Sequence, residues 1–439
     1  MSPIRSMLIS GAARASTTLI AVVRTKIVAV LLGPEGIGLL GLLTSLQEAG
    51  AQTADGGMSH SGVRQLARAR NTPARLARIR LAMAAAILCL AVTAAVSIWM
   101  LRIPLSELVT GTKDHATSFG ILGVGIAALM IFRWQQTLLC GFQRVASHSG
   151  LTTIAAALGA VVGIGAILLW HQDGIVWAVL MPPAVGILLA PLFTWGLPQT
   201  ATLPTWQDLR LAAAHGRTLF RLGISLLLSA LAVLLTPMIL RIFLARDAGL
   251  DQVGFYQAGL VITLHLTGLI MAAVSMDYYP RLSAVAGSAR QLAALMNAQA
   301  RLHLAFGGPL AILIAATAPF LLQVLFSPAF TVAAALVQWM MLGAVLRLAA
   351  VPAEMILMAT AQTGTILRLQ LAHQCLVLAG ALVFWPMAGL AGLGLAYCLG
   401  QAAHLAMLSL WNWRTAGIAW RYQSPKAMLC SPVGLDRQR

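Results

Sequence analysis

Six cationic side chains fall inside stretches that are otherwise apolar: Arg14, Arg24, Lys26, Arg133, Arg241 and Arg347. Each costs about 2.5–3.5 kcal/mol at the centre of a membrane span. Arg14 and Lys26 can snorkel toward an interface, so they count less. The others need an offsetting partner, and two kinds exist. An acid on another helix would make the arginine half of a structural ion pair. An anionic ligand would make it a binding residue. On the second account Arg24, Arg133, Arg241 and Arg347 are candidate anion-binding residues.

The acids show a pattern too. Thr44, Ser45, Glu48, Gln52, Asp55 and Ser59 fall on one helical face, within about 60° of Glu48 at 100° per residue. Lipid would tolerate neither carboxylate there. The stripe is either the wall of a wet lumen or a polar seam between helices, and two acids exceed what a seam needs. Arg14, Thr17, Thr18, Ala21, Arg24 and Thr25 make a second polar face, and Arg133, Gln136, Thr137 and Cys140 a third. Arg347 and Glu354 lie two turns apart on one face, and Pro352 between them frees a backbone carbonyl near Arg347. His265 is either a lumen group or a hydrogen-bonded core residue. Gln370, His373 and Gln374, like Gln401, His404 and Asn412, suit seams between helices.

No enzyme motif accompanies these groups: there is no GxxxxGK[ST], GxSxG or HExxH. Cys89, Cys140, Cys375, Cys398 and Cys430 form no CxxC pair, so neither a disulfide framework nor a metal site is implied, and no cofactor is expected.

The elements that position these residues are membrane helices. Of 439 residues, 59% are hydrophobic and 9% charged, and mean hydropathy is +0.85. Soluble domains run at about 25% charged. A crossing helix needs about 20 mainly apolar residues. Twelve such spans are expected, over 7–32, 36–61, 79–101, 117–141, 150–171, 174–197, 219–245, 253–277, 302–326, 331–359, 366–387 and 389–413. The stretch before Ala13-Arg14-Ala15 is too short for a cleaved signal, so the first span is expected to be retained.

Twenty lysines and arginines fall on loops and ends of one side and three (Arg102, Lys113 and Arg246) on the other. The excess of cations marks the cytoplasmic side, so both termini are expected there. Most of the formal net charge of +17 follows from insertion, and no nucleic-acid partner is inferred.

The halves repeat at a nearly fixed offset. Gly36–Leu40 matches Gln252–Tyr256 at 216, and Arg24 matches Arg241 and Arg64 matches Arg281 at 217. By the same offset His265 occupies the position of Glu48. The expected organisation is a six-helix bundle over 1–197, a basic linker over 198–218, a second six-helix bundle over 219–413, and a cytoplasmic tail over 414–439. With six spans per half, the pseudo-two-fold axis runs along the membrane normal. The fold class is all-α integral membrane, two bundles around a cavity.

The run from Lys26 to Gly41, with Gly33-Pro34-Glu35-Gly36 at its centre, resembles the start of Wzx-type O-antigen flippases of the multidrug/oligosaccharidyl-lipid/polysaccharide exporter superfamily. Gly56-Gly57-Met58 and the basic 64–70 stretch extend the likeness. It implies alternating-access movement of an undecaprenyl-diphosphate-linked oligosaccharide, an O-antigen or enterobacterial-common-antigen-like unit, across a bacterial inner membrane. Arg24, Arg133, Arg241 and Arg347 would then hold diphosphate, because a guanidinium meets phosphate oxygens two at a time. Glu48, Gln52, Asp55, His265 and Glu354 would line the lumen and couple transport to an ion. Membrane lipid, a polysaccharide polymerase and a chain-length regulator are the partners such a protein would have. The rival readings are a cation-coupled drug antiporter of the same fold, which would want an acidic cavity, and a membrane glycosyltransferase or polymerase, which would want a large external loop.

Overall fold

The computed structural model describes residues 3–58, 72–195, 231–274 and 278–418, with positions 62, 63, 66 and 228 besides. The linker over 198–218, the tail beyond 418, Ser59 and most of the arginine-rich stretch lie outside the described residues. Among the described residues there is no strand.

The first half runs α1 (Pro3–Asp55), α2 (Pro73–Met100), α3 (Arg102–Thr110), α4 (Ala116–Gly141), α5 (Val145–Trp170) and α6 (Ile175–Thr194). The second runs α7 (231–247), α8 (Leu250–Val274), α9 (Tyr278–Ala284), α10 (Ala289–Ala316), α11 (Ala318–Leu325), α12 (Ala334–Ala359) and α13 (Thr363–Ala416). A straight helix of 53 residues would be about 80 Å long, far beyond a hydrocarbon core of about 30 Å. Both α1 and α13 therefore break into two limbs, at Gly33 (φ 67°) and Gly389 (φ 54°). Among the described residues, eight helical stretches are long and apolar enough to span a membrane, and three of these, of 45, 50 (α5 with α6) and 53 residues, are long enough to cross twice. With α7 the crossings come to twelve, so the chain is an all-α, multi-pass membrane protein.

The repeat is visible in the backbone. The ends of α12 each lie 218 positions after the ends of α4, and α10 lies 216 after α2. Left-handed turn residues recur as well: Gly33 and Gly249 (φ 67° and 89°), Gln143 and Ala361 (φ 56° and 57°), His171 and Gly389 (φ 51° and 54°). Positive φ is costly for residues other than glycine, so its return at matching positions marks two copies of one chain path.

The ninth expected span, 302–326, is corrected. Helix α10 starts at Ala289 and ends at Ala316, and α11 is a separate helix beginning Ala318-Pro319. Pro319 has no N–H to give to Ala315 and its ring crowds that carbonyl, which ends the helix. The third span likewise starts earlier than expected, at Pro73, where the missing N–H is harmless.

The halves meet along the second limb of α1 and α8. A Cβ on Gly38 would strike the Leu250 carbonyl and come within 3.0 Å of the Gly254 nitrogen, and one on Gly254 would strike the Pro34 carbonyl. Gly41 similarly packs on Gln257. Gly38 and Gly254 are repeat partners at 216, as are Gly41 and Gln257. Only near a two-fold axis does a residue face its own counterpart. On this side, where α1 turns, Lys26 Nζ donates to the Gln323 carbonyl at 3.3 Å and Arg246 Nη2 to the Glu107 carbonyl at 2.9 Å, both across the halves. A cavity of about 260 Å³ opens between the first limb of α1 and α8.

Candidate functional site

Arg133 has the partner that the ion-pair account requires. From α4 its Nη2 pairs with the Glu48 carboxylate, and its Nη1 donates to Gln52 Oε1 at 3.2 Å. While that contact holds, the guanidinium is not free for another anion. The Glu48 side chain is 40% exposed and that of Arg133 23%, so the pair is half-solvated and its attraction is screened. Arg347 and Glu354, two turns apart on one helical face as expected, approach to 3.9 Å. Asp55 is buried at the end of the same stripe.

Arg24 meets neither an acid nor the cavity. Its Nη1 lies 3.5 Å from the Ala178 carbonyl of α6, and its Nε has no partner among the described residues. The choice of acceptor has a cause in the sequence. Ala178 is four residues before Pro182 and Val179 four before Pro183, so both carbonyls lack their helical N–H. Gln47 Nε2 reaches the second at 3.5 Å and the Gly125 carbonyl at 2.9 Å. Arg241, 7% exposed, donates from Nε and Nη2 to Gln257 Oε1 at 3.0 and 2.6 Å. It too answers to a neutral acceptor.

The kink at Pro352 is handled in the same way. The freed Leu348 carbonyl accepts from His303 Nδ1 at 2.9 Å, Tyr278 donates to the Pro352 carbonyl at 3.1 Å, and Asn412 to the Ala353 carbonyl at 3.2 Å. A carbonyl can only accept, so His303 carries its proton on Nδ1.

The cavity between the halves is lined by Arg14, Thr18 and Gly11 from α1 and by His265, Leu264 and Gly268 from α8. His265 Nδ1 is held by the Val261 carbonyl of its own helix at 2.6 Å, which leaves Nε2 to the cavity side. Among the described residues, no acid lines this space. Sequence reasoning set Arg14 aside as a snorkelling residue. Only the path of α8 shows what it faces. Gln47 and Gln257 were also missed, although the Pro182-Pro183 pair signalled that carbonyls in α6 would need outside donors.

The family model described as "Polysaccharide biosynthesis protein" matches residues 4–286, well over half of the chain. The chain belongs to that family. Among solved structures, the chain is similar to "Lipid II flippase MurJ, inward closed conformation", with TM-score 0.75, 10% identity, and coverage of 93% of this chain and 88% of that one. It is similar to an inward-facing multidrug resistance MATE family transporter of the MOP superfamily, with TM-score 0.73, 16% identity, and coverage of 91% and 94%. Against an outward-facing MATE transporter the TM-score is 0.61 at 15% identity, covering 94% and 95%. No curated protein matches by sequence. These likenesses show the fold, an all-α membrane protein with twelve crossings in two bundles.

Proposed function

We propose that the protein is a flippase that carries an undecaprenyl-diphosphate-linked oligosaccharide, an O-antigen or enterobacterial-common-antigen-like unit, from the inner to the outer leaflet of a bacterial inner membrane by alternating access. The cavity carries this reading: it lies between the bundles, bears Arg14 and His265 from opposite halves, and has no acid among its described lining residues. Such a space suits a lipid diphosphate better than the cationic drug of an antiporter. The uneven distribution of lysine and arginine supports cytoplasmic termini and hence a cavity open to the cytoplasm. Arg14 is the candidate diphosphate contact of this cavity, and Arg24 and Arg241, which lie off it and pair with no described acid, stay candidates. Glu48, Gln52 and Asp55 are candidate lumen groups. A polymerase and a chain-length regulator remain proposed partners.

The test is binding of undecaprenyl-diphosphate-linked glycan to purified protein. Arg14→Ala should weaken it at least tenfold with unchanged melting temperature, and Arg14→Lys should recover part, because lysine offers a point charge without the planar fork. Equal binding by wild type and Arg14→Ala, or binding of organic cations instead, would overturn the reading.

A further inference from the structure

His373 and His404 sit on opposite limbs of α13, with ring centroids 4.5 Å apart and planes tilted by 35°. They are 3% and 1% exposed. Gln374 Nε2 lies 3.5 Å from His373 Nδ1. His373 Nε2 and both nitrogens of His404 hydrogen-bond to no described residue. A neutral imidazole carries one N–H and one lone pair, so the stack buries donors and acceptors without satisfying them. Elsewhere the same bundle sets His303 on the Leu348 carbonyl that Pro352 frees, and Tyr278 and Asn412 on the Pro352 and Ala353 carbonyls. The stack is therefore no ordinary polar seam.

The charged and titratable neighbours are few. From α12, Glu354 and Arg347 both act on His404, and Arg347 acts on His373. On the second limb, Tyr397 and Cys398 lie about one turn before Gln401. From α8, Tyr256 faces Tyr397. Glu354 is thus the carboxylate that reaches the pair among the described residues. His373 is ten residues from the start of α13 and His404 twelve from its end, about 15 Å deep and near the middle of a core of about 30 Å. The limbs are joined by the hinge at Gly389 and pack closely: a Cβ added at Gly400 would strike Val377 and come within 3.7 Å of His373 Nε2.

One added proton can form an N–H bond on a lone pair within the stack, be shared between rings and be countered by Glu354. A second would be repelled by the first and by Arg347. Admitting even one requires water to reach the rings, which the closed limbs prevent. We propose that the His373–His404 stack is a one-proton binding site that couples proton movement to the rearrangement of the α13 hairpin. Water on the side to which the site opens supplies the proton, and water on the other side receives it. This rests on the transport reading above, but concerns the energy source rather than the cargo.

The test uses the full chain in lipid nanodiscs, without substrate, carrying spin labels at Asp114→Cys and Val332→Cys. These positions lie on the hinge side of opposite halves, in a background with the native cysteines replaced by alanine. Acidification from pH 8 to pH 5 should move population to longer distances with the steepness of a single proton. In His373→Gln/His404→Gln the response should vanish, and in Glu354→Gln its midpoint should move to lower pH. Each single histidine variant is measured as well, and each should lose more than half of the response, so misfolding of the double variant does not remove the test. A full response in the histidine variants, or none in the wild type, overturns the proposal. A normal pH response in a protein that exports no glycan would instead sink the cargo reading alone.

Discussion

Arg24 donates to the carbonyl of Ala178, the acceptor that Pro182 leaves without its helical N–H. The contact is long, and it gives the arginine a structural task that needs neither an acid nor a ligand. That task and diphosphate binding separate in a double-mutant cycle. If Arg24 only serves the carbonyl, Arg24→Ala should cost about 1–3 kcal/mol by leaving a buried acceptor unmet. Pro182→Ala, which restores the helical bond, should then remove most of that cost. Thermal melting of the four proteins measures the coupling. Loss of export by Arg24→Ala in both backgrounds, with stability intact in the second, would assign the residue to the substrate.

For Arg133 and Glu48 the expected coupling is smaller. Their side chains are partly solvated, so a cycle over Arg133→Gln and Glu48→Gln should give about 1 kcal/mol or less. A value of about 3–5 kcal/mol would mean a fully desolvated pair and would contradict a wet lumen wall. Glu48→Gln should leave abundance normal while impairing export. Normal export in both Glu48→Gln and Asp55→Asn would leave the stripe a seam.

The crossing at Gly38 and Gly254 has no room for a side chain. Gly38→Val and Gly254→Val should each destabilise the protein by about 1–3 kcal/mol through overpacking. They should also push the bundles apart on the hinge side. Distances between labels at Asp114→Cys and Val332→Cys should lengthen at constant pH. A glycine-to-valine change without effect on melting would show that the halves do not meet as described.

Orientation is tested independently of cargo. With both termini cytoplasmic, a cysteine at Thr205→Cys in the basic linker should react with impermeant maleimide only after the membrane is opened. Labelling in intact spheroplasts would invert the topology.

Much of the architecture was legible in the chain. Apolar runs of bilayer length, cations concentrated on one side, and the 216–217 offset led to twelve crossings in two related bundles. The reason is that lipid imposes its demand on each segment separately: a run must be long, apolar and internally hydrogen-bonded whatever its neighbours are. The misplaced ninth span was resolved by the structure, where the Arg102–Thr110 helix with Pro104 recurs as Ala318–Leu325 with Pro319. The partners of the buried charges were another matter. Helix phase put Arg24 and Arg133 on polar faces, but a phase angle does not say which helix lies opposite. Arg133 met Glu48, 85 residues away, and Arg24 met a carbonyl 154 residues away. Arg14, which looked like an interfacial residue, came to line the space beside His265. These are choices among several offsetting partners of similar energy, and only the packing of one helix on another decides between them.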